Sequence, residues 1–299
     1  MNQTTPPSDF RCGFVAIVGR PNVGKSTLMN HLIGQKISIT SKKAQTTRHK
    51  IIGVYTDERS QFIFVDTPGF QTRHRNALND RLNQNVTEAL GGVDVVAFVV
   101  EAMRFSEADR AVIRLLPKHL PVILVVNKID RAKSKAELEE FIETVRREFD
   151  FAGAEAVSAK HGRRIGELLA ILRPHLPEGV PLYPEDAVTD RSARFLAAEI
   201  VREKLFRHLG EELPYAANVA VEQFEEEDGL YRIYIAVLVD KDGQKAIIIG
   251  KGGEKLKKIS TEARLDMEKL FETKVFLKVW VKVKSGWADD ARFLQEFGL

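Results

Sequence analysis

From Phe14 to about Leu176, short apolar runs rich in β-branched residues alternate with stretches whose apolar positions recur every three or four residues. FVAIVG, IIGVY, QFIFVD, VDVVAFVV, PVILVVN and AEAVSA predict strands, and the stretches between them, KSTLMNHLIG foremost, predict helices. Such alternation predicts an α/β fold with a doubly wound, mostly parallel sheet. One stretch breaks the pattern. QKISITSKKAQTTRHK, residues 35–50, is polar and basic with little apolar period and reads as a mobile loop.

The pattern changes after LPEGVPLYPEDAVTD, where Pro177, Pro181 and Pro184 interrupt any helix and mark a linker. Beyond it come a helix RSARFLAAEIVREKLFRHLG, an alternating strand ANVAVEQFEEE, a turn at Gly229 and a strand LYRIYIAVLVD. KAIIIGKGGEKLKKI, an amphipathic helix through Leu270 and the strand KVFLKVWVKVK follow, an α+β order. The chain therefore divides into a leader at 1–12, an α/β domain at 13–176, a linker at 177–190 and an α+β domain at 191–299.

The 299 residues exceed the usual single domain, and 44% hydrophobic with 29% charged residues is an ordinary globular composition. The net charge of +3 points only weakly to an anionic partner. A single cysteine, Cys12, excludes an internal disulfide and a cysteine-based zinc site, so a reducing, cytoplasmic setting is expected. MNQTTPPSDF has neither a basic nor an apolar signal region and reads as a disordered leader. The longest apolar runs are too short to span a bilayer.

Chemistry enters at GRPNVGKST, which joins the first predicted strand to the first predicted helix. It fits G-x-x-x-x-G-K-[ST], a loop whose backbone N–H groups, with the positive end of the next helix, cradle phosphates. The candidate contacts are Gly19, Arg20, Pro21, Asn22, Val23, Gly24, Lys25, Ser26 and Thr27. Lys25 is expected to reach the β- and γ-phosphates and Ser26 a Mg²⁺ ion.

The base is named further on. NKID, Asn127, Lys128 and Asp130 among its residues, ends the strand PVILVV, where a carboxylate can accept from guanine N1–H and the 2-amino group; adenine offers neither. DTPG ends QFIFVD: Asp66 suits a water-mediated Mg²⁺ contact and the Gly69 N–H the γ-phosphate. AVSAK places Ser158 and Ala159 where backbone donors can meet guanine O6.

GRPNVGKS, QTTRH, DTPG, NKID and VSA, in this order, resemble the motifs of translation-factor-like GTPases. The resemblance implies that Thr47, or less readily Thr46, closes over Mg²⁺ and the γ-phosphate, and that Lys25, Thr47 and Gly69 serve hydrolysis of GTP to GDP and phosphate. Phe70 stands where Ras-like enzymes place a water-orienting glutamine, so slow intrinsic turnover is expected. In some relatives with an apolar residue there, a P-loop asparagine helps hold K⁺, and Asn22 matches it.

In the second domain, Gly250, Lys251, Gly252 and Gly253 fit the G-x-x-G loop of a KH domain, which lets a nucleic-acid backbone approach, with Lys255, Lys257 and Lys258 supplying charge. Lys278, Lys282 and Lys284 either extend that surface or form a solvated edge. The element order resembles a type II KH domain, which implies that AIII ends a short helix, although its periodicity alone predicts a strand.

A P-loop GTPase domain followed by a type II KH domain resembles the Era family of bacterial ribosome-assembly GTPases over nearly the whole chain. The resemblance implies GTP/GDP and Mg²⁺ as ligands and binding near the 3′ end of 16S ribosomal RNA during 30S subunit assembly. It also implies a monomer, cytoplasmic with peripheral inner-membrane association. A tandem-GTPase factor is excluded by the single P-loop.

Overall fold

The computed structural model describes residues 9–41, 43, 46–47, 49–70, 84, 86–210 and 213–286. The chain forms two compact units: residues 1–38 with 47–190, and residues 39–46 with 191–299.

The first unit is a six-stranded sheet in the order β2-β3-β1-β4-β5-β6. Its strands are β1 (Arg11–Val18), β2 (Ile51–Thr56), β3 (Ser60–Asp66), β4 (Val95–Glu101), β5 (Val122–Asn127) and β6 (Gly153–Val157). All neighbours are parallel except β2, which pairs antiparallel with β3. Its helices are α1 (Lys25–Ile33), α2 (Glu107–Ile113), α3 (Lys135–Arg146) and α4 (Ile165–Leu172). Every residue of β3, β4 and β5 is buried, as expected of strands covered on both faces. Because β1 pairs with β3 on one side and β4 on the other, the strand order reverses at β1. In such sheets the crevice at the carboxyl ends is where ligands bind. The loops after β1, β3 and β5 are the ones that carry GRPNVGKST, DTPG and NKID.

The proline-bearing segment 177–190, expected as a linker, is part of the first unit. Cys12 N–H donates to Pro177 O at 3.0 Å and Val54 N–H to Val188 O at 3.0 Å. The Gln61 side-chain oxygen accepts from Leu182 N–H at 2.8 Å and Tyr183 N–H at 2.9 Å. Proline spacing shows that this segment is not helical and says nothing of such edge bonds. The expected leader is shorter too: β1 begins at Arg11 and Phe10 is buried, while residues 1–8 lie outside the described residues.

The second unit contains α5 (Ala193–His208), β7 (Ala217–Glu227), β8 (Leu230–Val239), α6 (Asp242–Ile249), α7 (Glu254–Phe271) and β9 (Lys274–Val283). β7 pairs antiparallel and β9 parallel with β8. Ser192 caps α5, its hydroxyl accepting from Phe195 N–H at 3.2 Å. Ile259, Ala263 and Met267, one stripe of α7 at i, i+4 and i+8, pack with Ile200 and Val201 of α5 and Ile233 and Ile235 of β8 in one core. AIII is the end of helix α6 and not a strand. The Gln244 carbonyl caps its start by accepting from Asp240 and Lys241 N–H, and Gly250 N–H closes its end on Ala246 O. The order α-β-β-α-α-β is that of a type II KH domain.

The loop expected to be mobile is anchored at its described residues. Asn30 Oδ1 on α1 accepts from Ile37 N–H at 3.0 Å and Ser38 N–H at 2.9 Å. Within the second unit, Thr40 donates its N–H at 2.9 Å and its hydroxyl at 3.1 Å to Glu203 Oε1, on a fully buried side chain of α5. Residues 42, 44, 45 and 48 of this loop lie outside the described residues. No helix among the described residues is long and apolar enough to cross a membrane.

Candidate functional site

The P-loop leaves β1 at Gly19 and enters α1 at Lys25, so the free N–H groups of the helix start face the crevice. Gly24 has φ 102°, and a Cβ there would lie 2.3 Å from Asn127 Nδ2. A side chain at this position is excluded twice over. Lys25 is buried, its ammonium donating to Gly19 O at 3.0 Å and Arg20 O at 3.2 Å. Burial lowers its pKa to about 8, against the pull of Asp66. A buried ammonium held by two loop carbonyls is ready to exchange them for phosphate oxygens. Thr27, the third residue of α1, is half-buried.

Behind the loop, three hydroxyls converge on one carboxylate oxygen. Asp66 Oδ2 accepts from Ser26 Oγ at 2.7 Å, Ser38 Oγ at 2.8 Å and Thr47 Oγ1 at 3.5 Å, and the Ser26 and Thr47 hydroxyls are 2.9 Å apart. Asp66 is fully buried and its Oδ1 has no hydrogen-bond partner among the described residues. Burial pushes its carboxyl upward, opposed by Lys25 and the three hydroxyls. An all-oxygen donor set with an orphaned buried carboxylate oxygen fits a hard divalent cation such as Mg²⁺. The two threonines are distinguished here: Thr47 faces Ser26, whereas Thr46 donates its hydroxyl to Lys43 O at 2.8 Å.

DTPG lies across the crevice from the P-loop. A Cβ on Gly69 would sit 2.8 Å from Pro21 Cα and N, so only glycine lets the two loops approach. Phe70 is half-buried and packs against the core around β4 and β5. Its ring is committed to apolar contacts and cannot orient a water.

At the end of β5, Asn127 is buried, donating Nδ2 to Val23 O at 2.8 Å and accepting Ala159 N–H at 2.9 Å, so one side chain ties the P-loop to the AVSAK loop. Lys128 donates its ammonium to Asn22 O at 2.7 Å. Asp130 is exposed, and its carboxylate is held below its usual range chiefly by the Ser158 hydroxyl. The amides of Ser158 and Ala159, expected to meet guanine O6, donate within the protein to Arg163 O and Asn127 Oδ1. The Ser158 hydroxyl donates to Asp130 Oδ1, and the Ala159 N–H braces Asn127.

In the second unit, Gly250, Gly252 and Gly253 have φ of 72°, 60° and 81°, and with Lys251 they form the short link between α6 and α7. Lys251, Lys257 and Lys258 are exposed and Lys255 is half-buried, while Ile247, beside the loop, is 52% exposed. Cations, a glycine backbone and an apolar surface thus share one corner. Lys278 and Lys282 lie on β9, and Lys282 is paired with Glu222.

The motifs did not point to Ser38 and Asn30, whose positions depend on the path of a loop without periodicity. Glu101 and Asp109 were missed as well: both bind Arg20. For Asp109 a signal exists, since Ser106 and Asp109 form the S-x-x-D pattern of a capping box.

A family model described as "50S ribosome-binding GTPase" matches residues 14–128, and one described as "KH domain" matches residues 212–288. GTPase Era of Neisseria meningitidis serogroup C is 80% identical over 97% of this chain and 95% of its own length. The chain belongs to the Era family of GTPases. A crystal structure of an Aquifex aeolicus Era variant bound to GDP and AlF4⁻ superposes with TM-score 0.92 at 36% identity, covering 97% of this chain and 99% of that one. An Era solved with MgGDPNP and nucleotides 1506–1542 of 16S ribosomal RNA matches with the same TM-score, identity and coverage. The chain is thus an Era-family GTPase with a KH domain, and Ser26, Lys25 and Asp66 occupy the crevice of its GTPase fold.

Proposed function

We propose that the protein is a GTP-driven switch that binds the 3′ region of 16S ribosomal RNA through its KH loop and acts in 30S subunit maturation. The observation that carries this reading is the meeting of Ser26, Ser38 and Thr47 on Asp66 in a chain that also presents a G-x-x-G loop. Support comes from the Era relative solved with both MgGDPNP and 16S nucleotides.

In this reading Gly19 to Thr27 enclose the phosphates, with Lys25 neutralising charge on the β- and γ-phosphates. Ser26 and Thr47 would hold Mg²⁺ directly and Asp66 through water; the ion, when bound, stabilises charge developing on the phosphoryl oxygens. The Gly69 N–H and Thr47 report the γ-phosphate, and Asp130 reads the base. The KH loop, with Lys251, Lys255, Lys257 and Lys258, takes the RNA backbone while Ile247 supports an unstacked base.

Asn22 is the candidate K⁺ ligand, and the expected outcome of a steady-state assay in each salt is faster turnover in K⁺ than in Na⁺. Cytoplasmic residence with peripheral inner-membrane association, and a monomeric state, complete the proposal by analogy with the family. Crosslinking the protein to cellular RNA and sequencing the crosslinks tests the central part. Enrichment at the 16S 3′ end is expected, and crosslinks spread evenly over other RNAs overturn it.

A further inference from the structure

Arg20, at the tip of the P-loop, is nearly buried and points away from the phosphate cradle into two carboxylates. Its Nε donates to Asp109 Oδ1 at 3.1 Å and Oδ2 at 3.2 Å, and its Nη2 to Glu101 Oε2 at 3.1 Å. The same Glu101 oxygen lies 3.1 Å from Lys128 Nζ, and Glu101 Oε1 pairs with Arg131. Lys128 in turn holds Asn22 O. Glu101 is the last residue of β4 and the register partner of Asn127, where the base loop begins. Asp109 is fixed by its own helix, since its Oδ2 accepts from Ser106 N–H and Oγ at 2.9 and 2.8 Å.

Two buried carboxylates beside a polyphosphate site oppose anion binding by simple Coulomb repulsion. Here each is spent on cations that belong to the two nucleotide loops. Burial alone pushes the Glu101 carboxyl upward, yet Lys128, Arg20 and Arg131 together leave it below its ordinary range, so it stays charged. Neither residue belongs to the five motifs.

We infer that Glu101, with Asp109, is a positioning residue for the nucleotide: through Arg20 and Lys128 it locks residues 20–22 of the P-loop to the base loop, so that phosphate and guanine contacts form together. The chain of contacts continues to the chemistry. Arg20 O and Gly19 O receive the Lys25 ammonium, and Pro21 is the surface against which Gly69 rests. A P-loop released from Glu101 loses its placement relative to both the Lys25 ammonium and the γ-phosphate sensor. The inference rests on this crevice being the guanine-nucleotide site.

The test turns on a sign. Glu101→Gln removes a negative charge next to bound phosphate, so a purely electrostatic role predicts tighter nucleotide binding. A role confined to fold stability predicts a lower melting temperature of the nucleotide-free protein with unchanged affinity. Positioning predicts the opposite of the first and more than the second. Dissociation of a fluorescent GDP from the full-length protein should speed up about tenfold, as expected for loss of a buried charge-assisted hydrogen bond. The change in KM for GTP should exceed any change in kcat.

Asp109→Asn, whose contact with the nucleotide loops runs through Arg20, should accelerate release in the same direction and serves if Glu101→Gln does not fold. In a cycle with Lys128→Met, the Glu101→Gln effect should be smaller than in the unsubstituted protein, because the two substitutions share the Glu101–Lys128 contact while the contact with Arg20 remains to be lost. Unchanged or slower release in both carboxylate variants, or effects that multiply in the double variant, overturn the inference. Failure of the unsubstituted protein to bind GDP at all contradicts instead the assignment of the site.

Discussion

The hydroxyl of Ser158 donates to Asp130 Oδ1 at 2.6 Å, orienting an exposed carboxylate at the end of the NKID loop. In the proposed reading, base recognition draws on a pair of residues from two different motifs. Losing this charge-assisted bond in Ser158→Ala should weaken GDP binding by about tenfold. GTP should bind at least about a hundredfold better than ATP, and Asp130→Asn should turn preference toward xanthosine nucleotides. Competition binding measures both, and equal GTP and ATP affinity contradicts the assignment of Asp130.

Thr47 and Thr46 make opposite contacts, and substituting each separates their roles. Thr47→Ala removes the hydroxyl facing Ser26 and Asp66 and should weaken binding of a non-hydrolysable GTP analogue with Mg²⁺ about tenfold, with a smaller effect on GDP. Thr46→Ala removes, among the described residues, a bond to Lys43 O and should change the analogue's affinity less. A larger effect at Thr46 would reverse the assignment.

Lys25 gives a pH dependence with a definite sign. Its pKa in the free protein is lowered to about 8, and phosphate in contact with the ammonium raises it. Binding therefore takes up protons near pH 8, on the order of half a proton per GDP. Affinity should be flat below that pH and fall as pH rises above it. Between about pH 8 and the ordinary lysine value of 10.5, the nucleotide-free protein should gain stability as pH rises, since the unfolded chain holds the extra proton. Titration calorimetry in two buffers of different ionisation enthalpy reads the uptake directly. No uptake near pH 8 would show that Lys25 is already fully charged in the free site.

Much of this was legible in the chain because the GTPase motifs sit at strand ends, where apolar runs stop and glycine, proline and charge begin. VVNKID and FVDTPG announce both a strand and what its end presents. AIII reads as a strand on periodicity alone, because of the last four residues of α6 only Ile248 is buried and a single buried position sets no helical period. The anchoring of residues 37–40 was not legible, since it depends on Asn30 and Glu203, one near in sequence and one far, reaching loop N–H groups and a loop hydroxyl that carry no pattern. Glu101 was hidden for a related reason. A carboxylate at the end of a wholly buried strand reads as the strand's boundary until its three cations are seen together.

The loop that carries Ser38 and Thr47 at the Asp66 carboxylate also carries Thr40, bound to Glu203 of α5 within the unit that holds the KH loop. A change at the γ-phosphate thus has a covalent route of a few residues to that helix, and GTP and RNA binding should be linked reciprocally. The most direct test is the affinity of the full-length protein for an RNA spanning the 16S 3′ end, measured by fluorescence anisotropy at matched salt with a non-hydrolysable GTP analogue and with GDP. The account predicts roughly 5- to 150-fold tighter binding with the analogue. It also predicts that Gly252→Asp, which places a carboxylate where the backbone meets RNA phosphate, binds weakly in both states. Equal affinities in the two nucleotide states would contradict the switch and leave two independent modules on one chain.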